Sequence, residues 1–168
     1  MVFMNRREAI IAGVASIAAA VSVPPAASAQ ASADENPELA PIRALLDARD
    51  AAFVNHDIDG VLASLAEKAA IMGSGPGEIW SGPDEIRAAH QHFFEGFDVG
   101  NFDYEFDIGH VGSDTGWMMT SGNFSGKKNG NEFTIPFNLS LAVTKEAGKW
   151  LIAALHFSTV AAETQEED

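Results

Sequence analysis

Five histidines, one tyrosine and a single arginine on an otherwise apolar stripe are the residues whose chemistry the sequence makes worth asking about. An imidazole titrates near neutral pH, so a histidine held beside a bound molecule can take and return a proton. His156 and Ser158 alternate with Phe157 at the end of the last apolar run, and by period two they share a face with Trp150 and Ile152. That makes His156 a candidate acid–base residue, or a histidine satisfied by a neighbouring strand or water. His90 lies on the apolar stripe Ile86, Ala89, His90, Phe93, Phe94, Phe97, as a ligand-facing ring or a core histidine, whereas His92 faces the other way. His110 closes the alternation Phe102, Tyr104, Phe106, Ile108, His110 and is expected at the mouth of whatever that face lines. His56 falls in a turn. Metal binding would require His90, His110 and His156 to converge, and the two-residue spacing of His90 and His92 points their rings apart on a helix. No metal or cofactor is expected.

Arg49 stands seven residues after Ile42 and four before Phe53, on the buried stripe of a helix. A buried guanidinium must be paired. It either clamps a ligand carboxylate or developing enolate, or it pairs internally with an Asp or Glu, or its stem is buried while its head reaches solvent. Tyr104 can donate to a ligand oxygen or sit in the core with its hydroxyl at the rim. Trp80 and Trp117 can wall an apolar ligand, and Asn123 and Asn138, within strands, are further pocket candidates.

The elements that must position these groups follow from periodicity. Leu39, Ile42, Leu45, Leu46 and Phe53 mark a helix, and Asp57-Ile58-Asp59 opens a second, with Asp57 or Asp59 as its cap. Ala69–Gly73 reads as a short strand and Pro83–Phe97 as a third helix, with Asp84 and Glu85 suited to its first turn. After Gly100 the period changes to two. Strands are expected over Phe102–His110, Trp117–Ser125, Phe133–Lys145 and Lys149–Thr159, with turns at Asn129-Gly130 and Ala147-Gly148. Helices followed by a run of antiparallel strands give an α+β domain.

The stretch GSGPGEIWSGPDE (residues 73–85) turns from the first strand into the third helix. Its glycines suggest a phosphate loop, but a Walker-type loop needs a Lys-Ser/Thr pair where Glu78-Ile79 stand, and a dinucleotide fingerprint needs glycine where Glu78 is. A carboxylate there repels phosphate. Phosphate binding is therefore rejected.

The chain has 168 residues, 24 acidic against 10 basic, and a formal charge of −14. That balance argues against nucleic acid or an anionic membrane as partner. There is no cysteine, and so no disulfide or thiolate chemistry. Residues 1–29 read as a signal peptide: Asn5-Arg6-Arg7, an apolar stretch from Ala9 to Val23, Pro24-Pro25 and an Ala27-Ser28-Ala29 cleavage site. The arginine pair resembles a twin-arginine signal, with Glu8-Ala9 where a bulky apolar pair is usual, so the general secretory route stays open. The product would be periplasmic or secreted. Residues 30–37 form a polar arm, 38–160 the domain and 161–168 an acidic tail.

The order of elements resembles the nuclear-transport-factor-2-like or ketosteroid-isomerase-like cone, and more narrowly its SnoaL-like branch. The residues that carry the resemblance are Asn55-His56-Asp57-Ile58-Asp59-Gly60-Val61-Leu62, Gly75 to Arg87, and Lys149-Trp150-Leu151-Ile152 with His156-Phe157-Ser158. The resemblance implies a curved sheet wrapped round a pocket, closed by helices and commonly dimeric through the sheet, with His156 towards the pocket. It also implies that the isomerase base falls near Gly73 and the isomerase tyrosine near Arg49, so that particular activity is not expected. Two functions remain. One is an apolar small-molecule site with cofactor-free isomerase, dehydratase or hydrolase chemistry, His156 moving the proton and Arg49 holding negative charge on a small apolar or carboxylate-bearing molecule. The other is a periplasmic ligand-binding or dimeric interaction module without turnover.

Overall fold

A computed structural model describes residues 36–159. The expected signal peptide, most of the expected polar arm and the expected acidic tail lie outside the described residues.

Asn36 accepts a hydrogen bond from the Glu38 amide and opens a 3-10 turn, Pro37–Leu39, that leads into α1 (Ala40–Val54). Helix α2 (Ile58–Ala63) is capped by Asp57, which accepts from the Gly60 amide at 2.9 Å. Strand β1 (Leu65–Met72) is longer than its apolar run suggested, and Ile79–Ser81 forms a short strand β2 in what reads as a loop. Helix α3 spans Gly82–Phe94; Pro83 is in its first turn, and Glu85 reaches back to accept from the Ser81 amide at 2.9 Å. Four long strands follow: β3 (Val99–Val111), β4 (Thr115–Lys128), β5 (Asn131–Glu146) and β6 (Lys149–Thr159).

The sheet is curved and unclosed, with order β2-β1-β6-β5-β4-β3. β3 to β6 form an antiparallel meander, and β1 joins β6 in parallel. Both two-residue hairpins, Asn129-Gly130 and Ala147-Gly148, have positive φ at each position, the turn whose twist matches the strands it joins. The helices cover one face. There Leu39 of the 3-10 turn, Ile42 and Leu46 of α1 and Ile86 of α3 pack on Ile71, Met118, Leu139, Leu141, Val143, Ile152 and Leu155 of the sheet.

Two bulges overturn the expected faces. In β3, Tyr104 pairs with Gly122 and Phe106 with Ser121, so Glu105 is an extra residue. Before it Phe102 and Tyr104 face the helices; after it Phe106 and Ile108 turn out to solvent, half exposed, and Asp107 turns inward. In β6 the register shifts between Ala154 and Ile152, leaving Ala153 extra. Ile152 and Leu155, three apart, are both buried, so His156 and Ser158 do not share the face of Trp150 and Ile152. An inserted residue inverts every later position of a strand, and no residue type in either run announces one.

Candidate functional site

The bulges sort the candidate residues into two sets. Arg49, His90, Tyr104 and Trp80 belong to the helix-covered face. His156, His110, Trp117, Asn123 and Asn138 lie on the other. His156 sits between Leu155 and Phe157, both packed into the core, and therefore points away from it. Its neighbours are Ser140 and Met72 across the strands, and with Phe106, Ile108, Met119, Asn138 and Ser158 it borders a shallow depression of about 310 Å³. His110 and Trp117 are a cross-strand pair on that face, and Asn123 reaches Glu105 at 3.5 Å. Arg49 and His156 are thus separated by the sheet and cannot act on one atom. Among the described residues no group of three or more His, Asp or Glu is placed to hold a metal ion.

The interior set converges. On α1, Leu46, Arg49, Asp50 and Phe53 follow helical spacing and face inward, which leaves Arg49 and Asp50 both buried. Arg49 Nη1 donates to Asp50 Oδ1 at 2.8 Å. The other carboxylate oxygen accepts from the Tyr104 hydroxyl of β3 at 2.5 Å. Of the alternatives open for Arg49, the internal ion pair is the one formed. Asp50, its partner, went unnamed in the sequence, although its position four residues after Leu46 and three before Phe53 is a usable signal.

Aromatic rings enclose this pair. The Arg49 guanidinium lies over Phe53, 5.0 Å from the ring centroid, and 5.9 Å from that of Phe102. Phe53 also packs against Phe94, Phe97, Phe124 and, edge-on at 5.8 Å, His90 of α3. His90 is buried, with Nδ1 2.8 Å from the Ile86 carbonyl oxygen. A carbonyl only accepts, so Nδ1 carries the proton in the neutral ring, and Nε2 is left a bare acceptor. Among the described residues, Nε2 of His90, Nε of Arg49 and Nε2 of His92 have no hydrogen-bond partner.

Burial sets the protonation states. It lowers the His90 pKa to about 4, helped by the Arg49 charge and opposed by the Ile86 hydrogen bond. It raises that of Asp50 against the pull of Arg49 and Tyr104. Tyr104 is raised by burial and by the Asp50 charge. At neutral pH the interior therefore holds an unprotonated imidazole lone pair and the Arg49 Nε–H, both in a low-polarity aromatic setting.

Trp80 stands at the edge of this interior, edge-on to Phe93 at 5.4 Å. Beside it, Glu78 folds its carboxylate against Gly73 and accepts from the Gly75 amide at 2.8 Å.

A family model for the SnoaL-like domain matches residues 42–163. The chain belongs to the SnoaL-like family. Among solved structures, this SnoaL-like protein is similar to a ketosteroid isomerase-like protein from Erwinia carotovora atroseptica, at 27% identity over 75% of this chain and 98% of that one, with a TM-score of 0.59. It is also similar to a candidate dehydratase of the NTF2-like family from Streptomyces avermitilis (13% identity, 74% and 97% covered, TM-score 0.65). A candidate aromatic ring hydroxylase from Novosphingobium aromaticivorans (21% identity, 74% and 90% covered, TM-score 0.66) shares the fold as well. No curated protein gives a significant match.

Proposed function

We propose that this SnoaL-like protein performs cofactor-free acid–base chemistry, of isomerase, dehydratase or hydrolase type, on a small apolar molecule held between α1, α3 and β3. The observation that carries the reading is that Arg49 Nε and His90 Nε2, two of the three buried side-chain polar atoms without a partner among the described residues, belong to side chains packed on the same Phe53 ring. His90 accepts the proton. With a pKa of about 4 it has the base strength of an ordinary carboxylate and stays unprotonated through the neutral range. Arg49 offers its N–H to the oxygen on which negative charge develops, where a preorganised donor in a dry site is worth most. Asp50 and Tyr104 do not touch the reacting atoms in this scheme; they fix the guanidinium and balance its charge. His156, first expected as the proton carrier, has no part in it.

The second reading, a binding module without turnover, draws on the same interior. Its support is the density of rings around Phe53, which suits retention of an apolar guest. Native mass spectrometry of the protein from its own host, followed by incubation of any retained molecule with fresh protein, separates the two. A guest that is converted supports chemistry, and one returned unchanged supports binding. If the protein retains nothing and Arg49→Met alters no ligand or activity profile, the interior site is lost as a functional centre.

Export by the N-terminal segment and pairing of two copies through the outer sheet face belong to the same proposal. That face carries Phe106, Ile108, Trp117 and Met119, each 42–54% exposed, on adjacent strands. Neighbouring outward positions are His110, Ser121, Asn138, Ser140 and His156, none of them Asp, Glu, Lys or Arg. For a chain of charge −14, this uncharged patch, bordered on the same face by Asp103 and Glu105, suits a second copy of itself.

A further inference from the structure

One row of outward side chains crosses all six strands of the sheet. It runs Ile79 of β2, Met72 of β1, His156 of β6, Ser140 of β5, Met119 of β4 and Ile108 of β3. Each is the registered partner of the next, so all six share the outer face, where Met72, Ile79, Ile108 and Met119 are 45% to 55% exposed. From either edge the order is isoleucine, methionine, polar, polar, methionine, isoleucine. The midpoint of the row lies between β6 and β5, which is also the middle of the sheet.

A closed pair of like chains uses one patch twice, residue i meeting j and j meeting i. We propose that two copies pack outer face to outer face about a twofold axis that runs along the strands, midway between β5 and β6. This rests on the pairing of copies through that face, proposed above, and adds its register. The strands of the two sheets then lie alongside one another, the aligned packing of a β-sandwich. The axis sets Met119 against the partner's Met72, Ile108 against the partner's Ile79, and His156 against the partner's Ser140. Apolar side chains meet apolar ones, and the imidazole meets a hydroxyl that donates or accepts, whichever ring nitrogen carries the proton.

The adjacent row chooses between this axis and its alternative. It reads Ser81, Ala70, Ala154, Ala142, Trp117 and His110 across the same six strands. The proposed axis lays Trp117 over the partner's Ala70, the bulkiest side chain on a small one, and Ala154 over the partner's Ala142. In the row on the other side Ser158 meets the partner's Asn138, polar on polar. An axis running along the row of His156 would instead press Trp117 onto the partner's Ser121, between Asn138 and Phe106. None of the three rows contains Asp, Glu, Lys or Arg, so pairing buries no carboxylate, ammonium or guanidinium.

The chain has no cysteine, so single introduced thiols report the register. Met72→Cys and Met119→Cys are made separately in the full chain. Each is treated with a bis-maleimide alone, and again after the two are mixed and their subunits exchanged. Under the proposed axis Met119 and the partner's Met119 are three strand spacings apart, about 14 Å along the sheet, so the linker is chosen too short to span that distance. The expected result is covalent dimer from the mixture and none from either variant alone. Covalent dimer from Met119→Cys alone would select the axis along the row and overturn this one. No covalent dimer in any sample, from protein that sediments as a dimer, overturns the register while pairing stands. A chain that sediments as a monomer removes the pairing as well. Should a methionine variant fail to fold, Ile79→Cys and Ile108→Cys, the next pair outward in the row, make the same comparison.

Discussion

Tyr104 of β3 donates its hydroxyl to Asp50 of α1 at 2.5 Å, and this contact joins the sheet to the helix that carries the buried cation. It exists because Tyr104 precedes the Glu105 bulge. Three residues later, beyond the bulge, Asp107 also faces inward and pairs with Arg43 of the same helix. One inserted residue thus lets a single strand present an uncharged donor to an acid and an acid to a base. α1 is held at two points, and the Arg49–Asp50 pair is held at one of them.

A buried ion pair is costly to break and seldom strongly stabilising to keep. Asp50→Asn leaves the Arg49 charge without its counterion and is expected to lower unfolding free energy by about 3–5 kcal/mol. Tyr104→Phe removes one donor to the carboxylate and should cost about 2 kcal/mol. Joint replacement, Arg49→Met with Asp50→Leu, should regain most of the loss while abolishing ligand binding. Urea denaturation of the three variants beside the unaltered protein checks this. A double variant as unstable as Asp50→Asn would show that the pair is required for the fold, and would remove the case that it is kept for function.

His90 makes stability depend on pH in a definite direction. Its folded pKa, about 4, lies below the value of 6.5 for an unperturbed ring, so the unfolded chain binds the proton more readily. The contribution is fully present above pH 6.5 and is lost as pH falls towards 4. Its size is about 3 kcal/mol. Asp50, whose pKa is raised, has the opposite sign: its contribution is present at acid pH and fades as pH rises. Comparing the protein with His90→Phe isolates the histidine. Their stability curves, from urea melts at stepped pH, should converge by about 3 kcal/mol on acidification. Parallel curves would mean that His90 is protonated or solvated in the native state.

Much of this was legible beforehand, and the two failures share one cause. Helical spacing placed Arg49 and His90 on buried faces, and the turn residues Asn129-Gly130 and Ala147-Gly148 fixed both hairpins. The family follows from short segments around Asp57, Gly75–Arg87 and Trp150, and the match over residues 42–163 agrees. Strand faces were misjudged in β3 and β6, because a period-two pattern carried across Glu105 or Ala153 inverts everything beyond. The run Phe102, Tyr104, Phe106, Ile108 looks like one apolar face only because the outer face is apolar too. Asp50 was missed for a different reason. A charged residue on a helical stripe reads as a break in the stripe, although beside Arg49 it neutralises the charge that makes Arg49 improbable there.

Gly73 gives a direct test of how the β1–β2 segment is built. A Cβ added there would lie 2.4 Å from Glu78 Oε2 and 3.2 Å from the Trp80 ring. Gly73→Ala must therefore push the carboxylate off the Gly75 amide it accepts from. The expected cost is about 1 kcal/mol, one hydrogen bond. In a Glu78→Ala background the same substitution should cost little, so the two changes should be clearly non-additive. Thermal melts of the four-member cycle measure the coupling. Additive costs would mean that the glycine is required by the Glu78 Cβ, 3.1 Å away, or by the Trp80 ring, and not by the Glu78 carboxylate.

The outer face makes the last prediction, which concerns assembly. In an isologous dimer each substitution appears twice, so one charge placed at the centre acts with double weight. Trp117 and Met119 are 42% and 49% exposed and make few demands on the core. Trp117→Glu or Met119→Glu should therefore leave the melting temperature of the monomer fold nearly unchanged. Across the pair, however, the new carboxylates would face apolar side chains, in a chain already at −14. Sedimentation equilibrium should show a dimer for the unaltered protein and a monomer for either variant at the same concentration. Arg49→Met, on the opposite side of the sheet, should remain dimeric. A monomeric unaltered chain, or a dimer indifferent to both glutamates, would rule this face out as the contact between copies.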